Sequence, residues 1–226
     1  MPRSLANGIA VDVGHIKSQP GAISARGIPE HWFNRDLALQ IVANLQKQGH
    51  PSFAIGANGE MDKLMDRVAA GNKAALFFSV HHDSVQEQFL ETWMFEGVER
   101  RYSDRYAGFS LFVSRHNPQL KRSLACASTV GAALRRAGFR PSLYHAEPIR
   151  GESKPFADQL NGVHYYDNLV VLRHARIPAI LFEAGVIVNR EEELALSDAS
   201  RRAQMAEMIA TALVRCRLQN PGGAKR

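Results

Sequence analysis

The run Ala74-Ala-Leu-Phe-Phe-Ser-Val80 constrains this chain more than any other stretch. Its side chains are apolar in both directions of the pleat, which marks a strand covered on both faces. Residues 9–13 (Ile-Ala-Val-Asp-Val) and 178–182 (Pro-Ala-Ile-Leu-Phe) have the same character. Helical stripes lie between these runs. Over 30–47 the apolar positions Trp32, Phe33, Leu37, Ile41, Val42 and Leu45 recur at helical spacing, and Gly49 ends the pattern. Trp32 and Phe33 are therefore expected in the core. A second stripe covers 120–137, closed by Gly138. A third runs from 191 to 216, with Met205, Met208, Ile209, Leu213 and Cys216 on one face. Shorter strands are expected at 52–55, 109–113 and 139–144, a short helix at 62–70, and loops at 16–29 and 145–165.

Strands alternating with helices predict an α/β fold: a mainly parallel, twisted sheet with helices on both faces. One domain is expected over 1–217, with 218–226 as a tail. Residues 84–106 mix aromatics and charges without a period, and read as an insert over one end of the sheet.

Composition narrows the class. The chain has 226 residues, 45% hydrophobic and 22% charged, as in an ordinary soluble globular protein. Its net charge is +6, but the basic clusters (Arg100-Arg101, Arg135-Arg136, Arg201-Arg202) are too short for a nucleic-acid arm. An anionic partner such as a cell-wall polymer or lipid is compatible with that charge. No apolar run approaches the roughly 20 residues of a membrane span. The opening MPRSLANG has no apolar segment of the signal-peptide kind, which leaves both a cytoplasmic and a processed, exported protein open. Cys126 and Cys216 are too few for a disulfide framework and are expected as buried apolar side chains.

Three strands run directly into residues with chemical capability. The first leads into Gly14-His15, the strand at 74–80 into His81, and the strand at 178–182 into Glu183. Ligands of open α/β sheets bind beyond the carboxyl ends of the strands. Glu30 can join this edge if the loop at 16–29 folds back over it. Two histidines and a carboxylate form a common catalytic zinc set that leaves a coordination position open. A further carboxylate beside the activated water can take its proton and pass it to a leaving amine, a role that suits Glu183. By itself the spacing supports a metal site and no named reaction. The HExxH zinc signature, a phosphate-binding Walker loop and a G-x-S-x-G elbow do not occur in the chain.

Four blocks, in order, go further. They are Ile9-Ala-Val-Asp-Val-Gly-His15, Gly27-Ile-Pro-Glu-His-Trp-Phe-Asn-Arg-Asp-Leu-Ala38, Phe78-Ser-Val-His-His-Asp-Ser84, and Pro178-Ala-Ile-Leu-Phe-Glu-Ala-Gly-Val-Ile-Val-Asn189. Together they resemble the zinc-dependent N-acetylmuramoyl-L-alanine amidases of the amidase 3 type, over about residues 8–216. The resemblance implies His15, Glu30 and His81 as zinc ligands and Glu183 as the catalytic glutamate. It further implies peptidoglycan as substrate, cleavage between N-acetylmuramic acid and L-alanine, and a periplasmic or secreted location; a monomer is expected. It also raises an activator protein, because some members carry an inserted helix that plugs the site; the segment 84–106 is the candidate lid or regulatory insert here. Pro29, His31 and His82 depart from the usual residues of those blocks, and 84–106 is longer than in the simplest members. The alternatives are a zinc amidohydrolase or carboxypeptidase on another small amide, and a non-catalytic wall-binding module. His82 and Asp83 are expected near the site, and His145 and Glu147 in a surface loop. Trp93 and Tyr106 suit either stacking on substrate or lid packing.

Overall fold

In a computed structural model, residues 5–218 of the chain are described. Strands β1 (Ile9–Val13), β2 (Ser52–Ile55), β3 (Leu76–Asp83), β6 (Ser110–Val113), β7 (Phe156–Asp158), β8 (Val163–Tyr165) and β9 (Ala179–Val186) form one sheet. Its order is β2-β1-β3-β9-β6-β8-β7. The first four neighbours run parallel. β6 is antiparallel to β9 and parallel to β8, and β7 is antiparallel to β8. β4 (Glu91–Phe95) and β5 (Val98–Tyr102) make a separate antiparallel hairpin.

The central strands lie under helices on both sides, as their apolar character requires. Alternation divides their side chains between two cores. Ile9, Val11, Val13, Leu76, Phe78, Val80, Ile180 and Phe182 pack under α1 (Glu30–Lys47), α3 (Leu120–Arg136) and α6 (Ala199–Leu218). Ala10, Phe77, Ala179 and Leu181 face the smaller helices α2 (Leu64–Gly71) and α4 (Val170–His174). Among the described residues no helix is long and apolar enough to cross a membrane.

Several local expectations need correction. The strand expected at 139–144 is an extended turn with a single bridge, Phe109 to Pro141. The loop expected at 145–165 contains β7 and β8, strands too short to show a period. The helix expected at 191–216 is two helices, α5 (Arg190–Ser197) and α6. Asp198 separates them: its amide closes α5 on Leu194 O (3.0 Å), and its Oδ1 caps α6 through Arg201 N (2.7 Å). Trp32 is 43% exposed, whereas Phe33 is buried. The tail expected at 218–226 falls outside the described residues from 219 onward.

The cysteines are buried as expected, but they are also paired. Cys126 of α3 and Cys216 of α6 form a disulfide across 90 residues, pinning the last helix to the third. Closing a loop of that length restricts the unfolded chain by about 4–5 kcal/mol in the chain-entropy treatment. Chemical denaturation of the oxidised chain and of the Cys126→Ser/Cys216→Ser variant should therefore differ by a shift of that order. Coincident midpoints would show that the cross-link does not stabilise the fold.

Candidate active site

The site lies just past the carboxyl end of β1 and on the carboxyl-terminal halves of β3 and β9, which run on past the expected ends at 80 and 182, so that His81 and Glu183 lie within the strands. β1 turns sharply at Gly14 and His15. His15 has a left-handed backbone (φ 65°), uncommon for a residue with a Cβ. Such a conformation costs on the order of 1–3 kcal/mol and persists only where surrounding bonds enforce it. Arg67 of α2 is that enforcement. Its guanidinium donates to Val13 O and to His15 O, the latter at 2.6 Å, and Nε donates to Met61 O at 3.0 Å. The same group pairs with buried Asp12 at 2.7 Å, and Ser79 Oγ donates to the other Asp12 oxygen at 2.7 Å.

Glu30 opens α1 and is buried at 4% exposure. Its amide donates to Ala22 O at 2.8 Å, so the loop before the helix folds back over the strand ends. The carboxylate then meets both histidines: His15 Nε2 lies 3.0 Å from Oε2 and His81 Nδ1 lies 3.2 Å from Oε1. Ala22 N, Asn34 Nδ2 and His82 N also donate to it, at 3.0, 2.9 and 3.2 Å. Burial works against its ionised form, but the hydrogen bonds and charges of His15 and His81 outweigh that and hold the carboxyl far below the usual range. Packing around it leaves little slack. A Cβ on Gly21, whose φ is +79°, would lie 2.2 Å from Glu30 Oε2 and 2.6 Å from the His15 ring.

One donor atom from each of His15, Glu30 and His81 lies within 4.8 Å of the others. Among the described residues this is the one such group. Two imidazoles and a preorganised carboxylate suit a divalent ion such as zinc, with a coordination position left over. The two histidines remain partly open to solvent, with side-chain exposures of 34% for His15 and 19% for His81. A cleft of about 390 Å³ reaches them, walled by Ile16, Gln19, Leu64, Val171 and Leu181.

Glu183 pairs in register with His81 across β3 and β9. Its Oε2 is enclosed and has no hydrogen-bond partner. Burial first, then the negative charges of Asp83 and Glu30, push its carboxyl well above the ordinary value. A carboxylate in such surroundings is a strong acceptor for a proton.

Two supports were not legible from spacing, and a third, His82, was expected near the site without a partner. Asp12 and Arg67 are 55 positions apart, and only the apolar context of Asp12 hinted that a buried cation must meet it. His82 points to the other face of β3, against Phe33, and its Nδ1 donates to Asn34 Oδ1 at 2.8 Å. Asn34 in turn donates to Glu30, so His82 steadies the carboxylate through one intermediate. Burial lowers the His82 pKa to about 3. His31, which carried no expected role, donates from Nδ1 to Gly14 O at 3.2 Å.

His145 is buried rather than in a surface loop. Nε2 and Nδ1 donate to Asp83 Oδ2 (2.7 Å) and Glu152 Oε2 (2.8 Å), and Lys154 reaches Glu152 at 2.6 Å. Burial opposes protonation of His145, yet Asp83 and Glu152 raise its pKa to about 9. This chain of alternating charge ties the end of β3 to the loop at 145–154. Glu147 only shapes that loop, its carbonyl accepting from Ser153 N at 2.9 Å.

The segment 84–106 carries a hairpin and one short 3-10 turn, with no α-helix. Trp93 Nε1 donates to Ala25 O at 3.0 Å, and Tyr106 packs on Phe89 and Tyr144. Both aromatics serve packing between the hairpin and the body. Asn189, the end of the last sequence block, caps α5 by accepting from Glu191 N and Glu192 N.

The chain is 26% identical over 235 residues to the probable N-acetylmuramoyl-L-alanine amidase AmiB of Haemophilus influenzae, covering 91% of this chain and 51% of the relative. It thus spans about half the length of that curated relative. Its fold resembles the amidase Ami1 of Mycobacterium smegmatis with a TM-score of 0.73 at 18% identity, over 96% of this chain and 100% of the other. The catalytic domain of CwlV from Bacillus (Paenibacillus) polymyxa is similar with a TM-score of 0.69 at 22% identity, over 92% and 97% of the two chains. The profile of one family, Amidase_3, described as N-acetylmuramoyl-L-alanine amidase, matches residues 9–215. With its fold, its strand-end cluster and nearly its whole length inside that match, the chain belongs to the N-acetylmuramoyl-L-alanine amidase family.

Proposed function

We propose that this chain is a zinc-dependent peptidoglycan amidase that hydrolyses the amide between N-acetylmuramic acid and the L-alanine of the stem peptide. The observation that carries the reading is the junction of the His15–Glu30–His81 cluster with the unpartnered Glu183 carboxyl on the next strand. His15, Glu30 and His81 are the residues that would hold the ion. A bound zinc supplies a Lewis acid for the amide carbonyl and lowers the pKa of water. Glu183 takes the proton of the attacking water and delivers it to the departing alanine nitrogen. Arg67 and Asn34 hold His15 and Glu30 in place, which limits rearrangement during the reaction. Residues 9–215 form the catalytic unit, and the hairpin at 91–102 borders the path of the substrate rather than plugging the cluster.

The enzyme works outside the cytoplasm. The family's wall substrate lies there, and a disulfide closing 90 residues persists in an oxidising compartment.

The test is a zymogram on purified cell wall combined with end-group analysis of the product. The zinc-loaded chain is expected to clear the wall and to expose new L-alanine amino termini. Chelation should abolish clearing and zinc should restore it. A chain that binds zinc yet leaves wall intact would be an amidohydrolase for another amide. One that binds wall and clears nothing would be a binding module.

A further inference from the structure

We propose that Arg100 binds a carboxylate of the stem peptide and so helps to select the substrate; this rests on the peptidoglycan reading above. Arg100 lies on β5 opposite Trp93 of β4, on the hairpin face turned toward the body of the protein. Alternation turns its neighbours Glu99 and Arg101 the other way, and both are exposed. The surrounding arginines are committed. Arg101 pairs with Glu87, Arg190 with Asp104 and Arg26 with Glu193, while Arg105 stacks on Phe89 and Tyr106. Among the described residues Arg100 has no ion pair, and its Nε is enclosed without a hydrogen-bond partner.

Its position is held by a missing side chain. A Cβ on Gly27 would stand 2.5 Å from the Arg100 guanidinium carbon and 2.7 Å from both terminal nitrogens. The guanidinium therefore lies against the bare Cα of Gly27, whose φ of +93° favours glycine in its own right. Gly27 belongs to the loop whose Ala22 amide donates to Glu30. Arg100 is thus tied to the same loop that completes the His15–Glu30–His81 cluster.

The space beside it is walled by that same loop. A trough of about 330 Å³ runs between Ala22, Ser84, Leu90, Val188 and Arg100, beyond the ends of β3 and β9. Glu87, Glu99 and Arg101 also border it; Glu87 pairs with Arg101, and Glu99 lies on the opposite face of β5 from Arg100. The cleft on the other side of the cluster holds one guanidinium, that of Arg67, and it is committed to Asp12. The two arms of the substrate differ in charge. The glycan side is neutral, whereas the peptide beyond the first alanine carries free carboxylates. An uncommitted guanidinium lining the trough matches a carboxylate, so the stem peptide runs along the hairpin.

The experiment compares two soluble muramyl peptides, one with a free carboxylate on the acidic residue after L-alanine and one with that group amidated. For Arg100→Gln, KM on the free-acid substrate should rise about ten-fold or more, the value of a charge-assisted hydrogen bond. Turnover number should stay within about two-fold. On the amidated substrate the native chain should already show the raised KM, and the substitution should change it little. Arg100→Lys should recover part of the loss, and Gly27→Ala, which displaces the guanidinium, should reproduce it. Equal losses on both substrates, or no loss on either, would overturn the inference while leaving the amidase reading intact. A native chain that cleaves neither substrate would overturn that reading, and this inference with it.

Discussion

Glu183→Gln is expected to lower turnover by about 10²–10⁴-fold, the range contributed by a positioned general acid–base group, while metal content stays that of the native chain. The amide keeps the volume of the carboxyl but cannot accept and return a proton. His15, Glu30 and His81 do not depend on it, since their mutual bonds and those to Ala22, Asn34 and His82 do not pass through Glu183. The native carboxyl is buried with an unpartnered oxygen and a raised pKa. A carboxyl with a raised folded-state pKa favours the fold at low pH and loses that contribution as pH rises through the raised value. The ionised form needed for proton transfer is thus held at some cost in stability. The glutamine variant should be at least as stable as the native chain at neutral pH, an exchange of activity for stability common at catalytic positions. The acidic limb of the rate profile should also disappear, because the group that must lose its proton is gone. Metal analysis, single-turnover rates and thermal melts of both proteins provide the check. A variant with native turnover would remove Glu183 from the chemistry.

His81→Ala is expected to abolish stoichiometric zinc binding, and wall hydrolysis with it. Glu30 keeps its bonds to His15, Ala22 N, Asn34 and His82 N, so the strand ends should stay assembled. What is lost is one of the two imidazoles, and two remaining ligands bind a catalytic zinc poorly. Metal that binds only the folded chain stabilises it by mass action. The native protein should therefore melt higher with zinc than after chelation, and the variant should melt at one temperature in both conditions. Stoichiometric zinc in the variant would exclude His81 as a ligand. The same measurement on His82→Ala separates the neighbours. His82 faces Phe33 and acts through Asn34, so its loss should weaken zinc affinity without removing the site.

Much of the frame can be read along the chain. The apolar runs at β1, β3 and β9, the helical stripe of α1 and the stop at Gly49 all appear as local periodicities. What failed was also local in cause. β7 and β8 are three residues each, below the length at which alternation shows. The break at Asp198 rests on a cap that a continuous apolar stripe hides. Trp32 sits at a helical position that reads as core, but α1 turns that side toward solvent.

The site divides along the same line. Sequence alone determined that His15, His81 and Glu183 follow directly on apolar strand runs, because strand identity follows from short-range apolar pattern; that β3 and β9 continue through His81 and Glu183 follows from their pairing in the sheet. Its ordered blocks also tied those residues to one family. It could not show which partners hold them, since Arg67–Asp12, His145–Asp83 and Cys126–Cys216 join positions 55, 62 and 90 apart. Only the tertiary structure decided that Glu30 folds back between the two histidines, that His145 is a buried cation, and that Glu183 lacks a partner. Those are properties of burial and of charge meeting charge, and they arise only once the sheet brings distant strand ends to one edge.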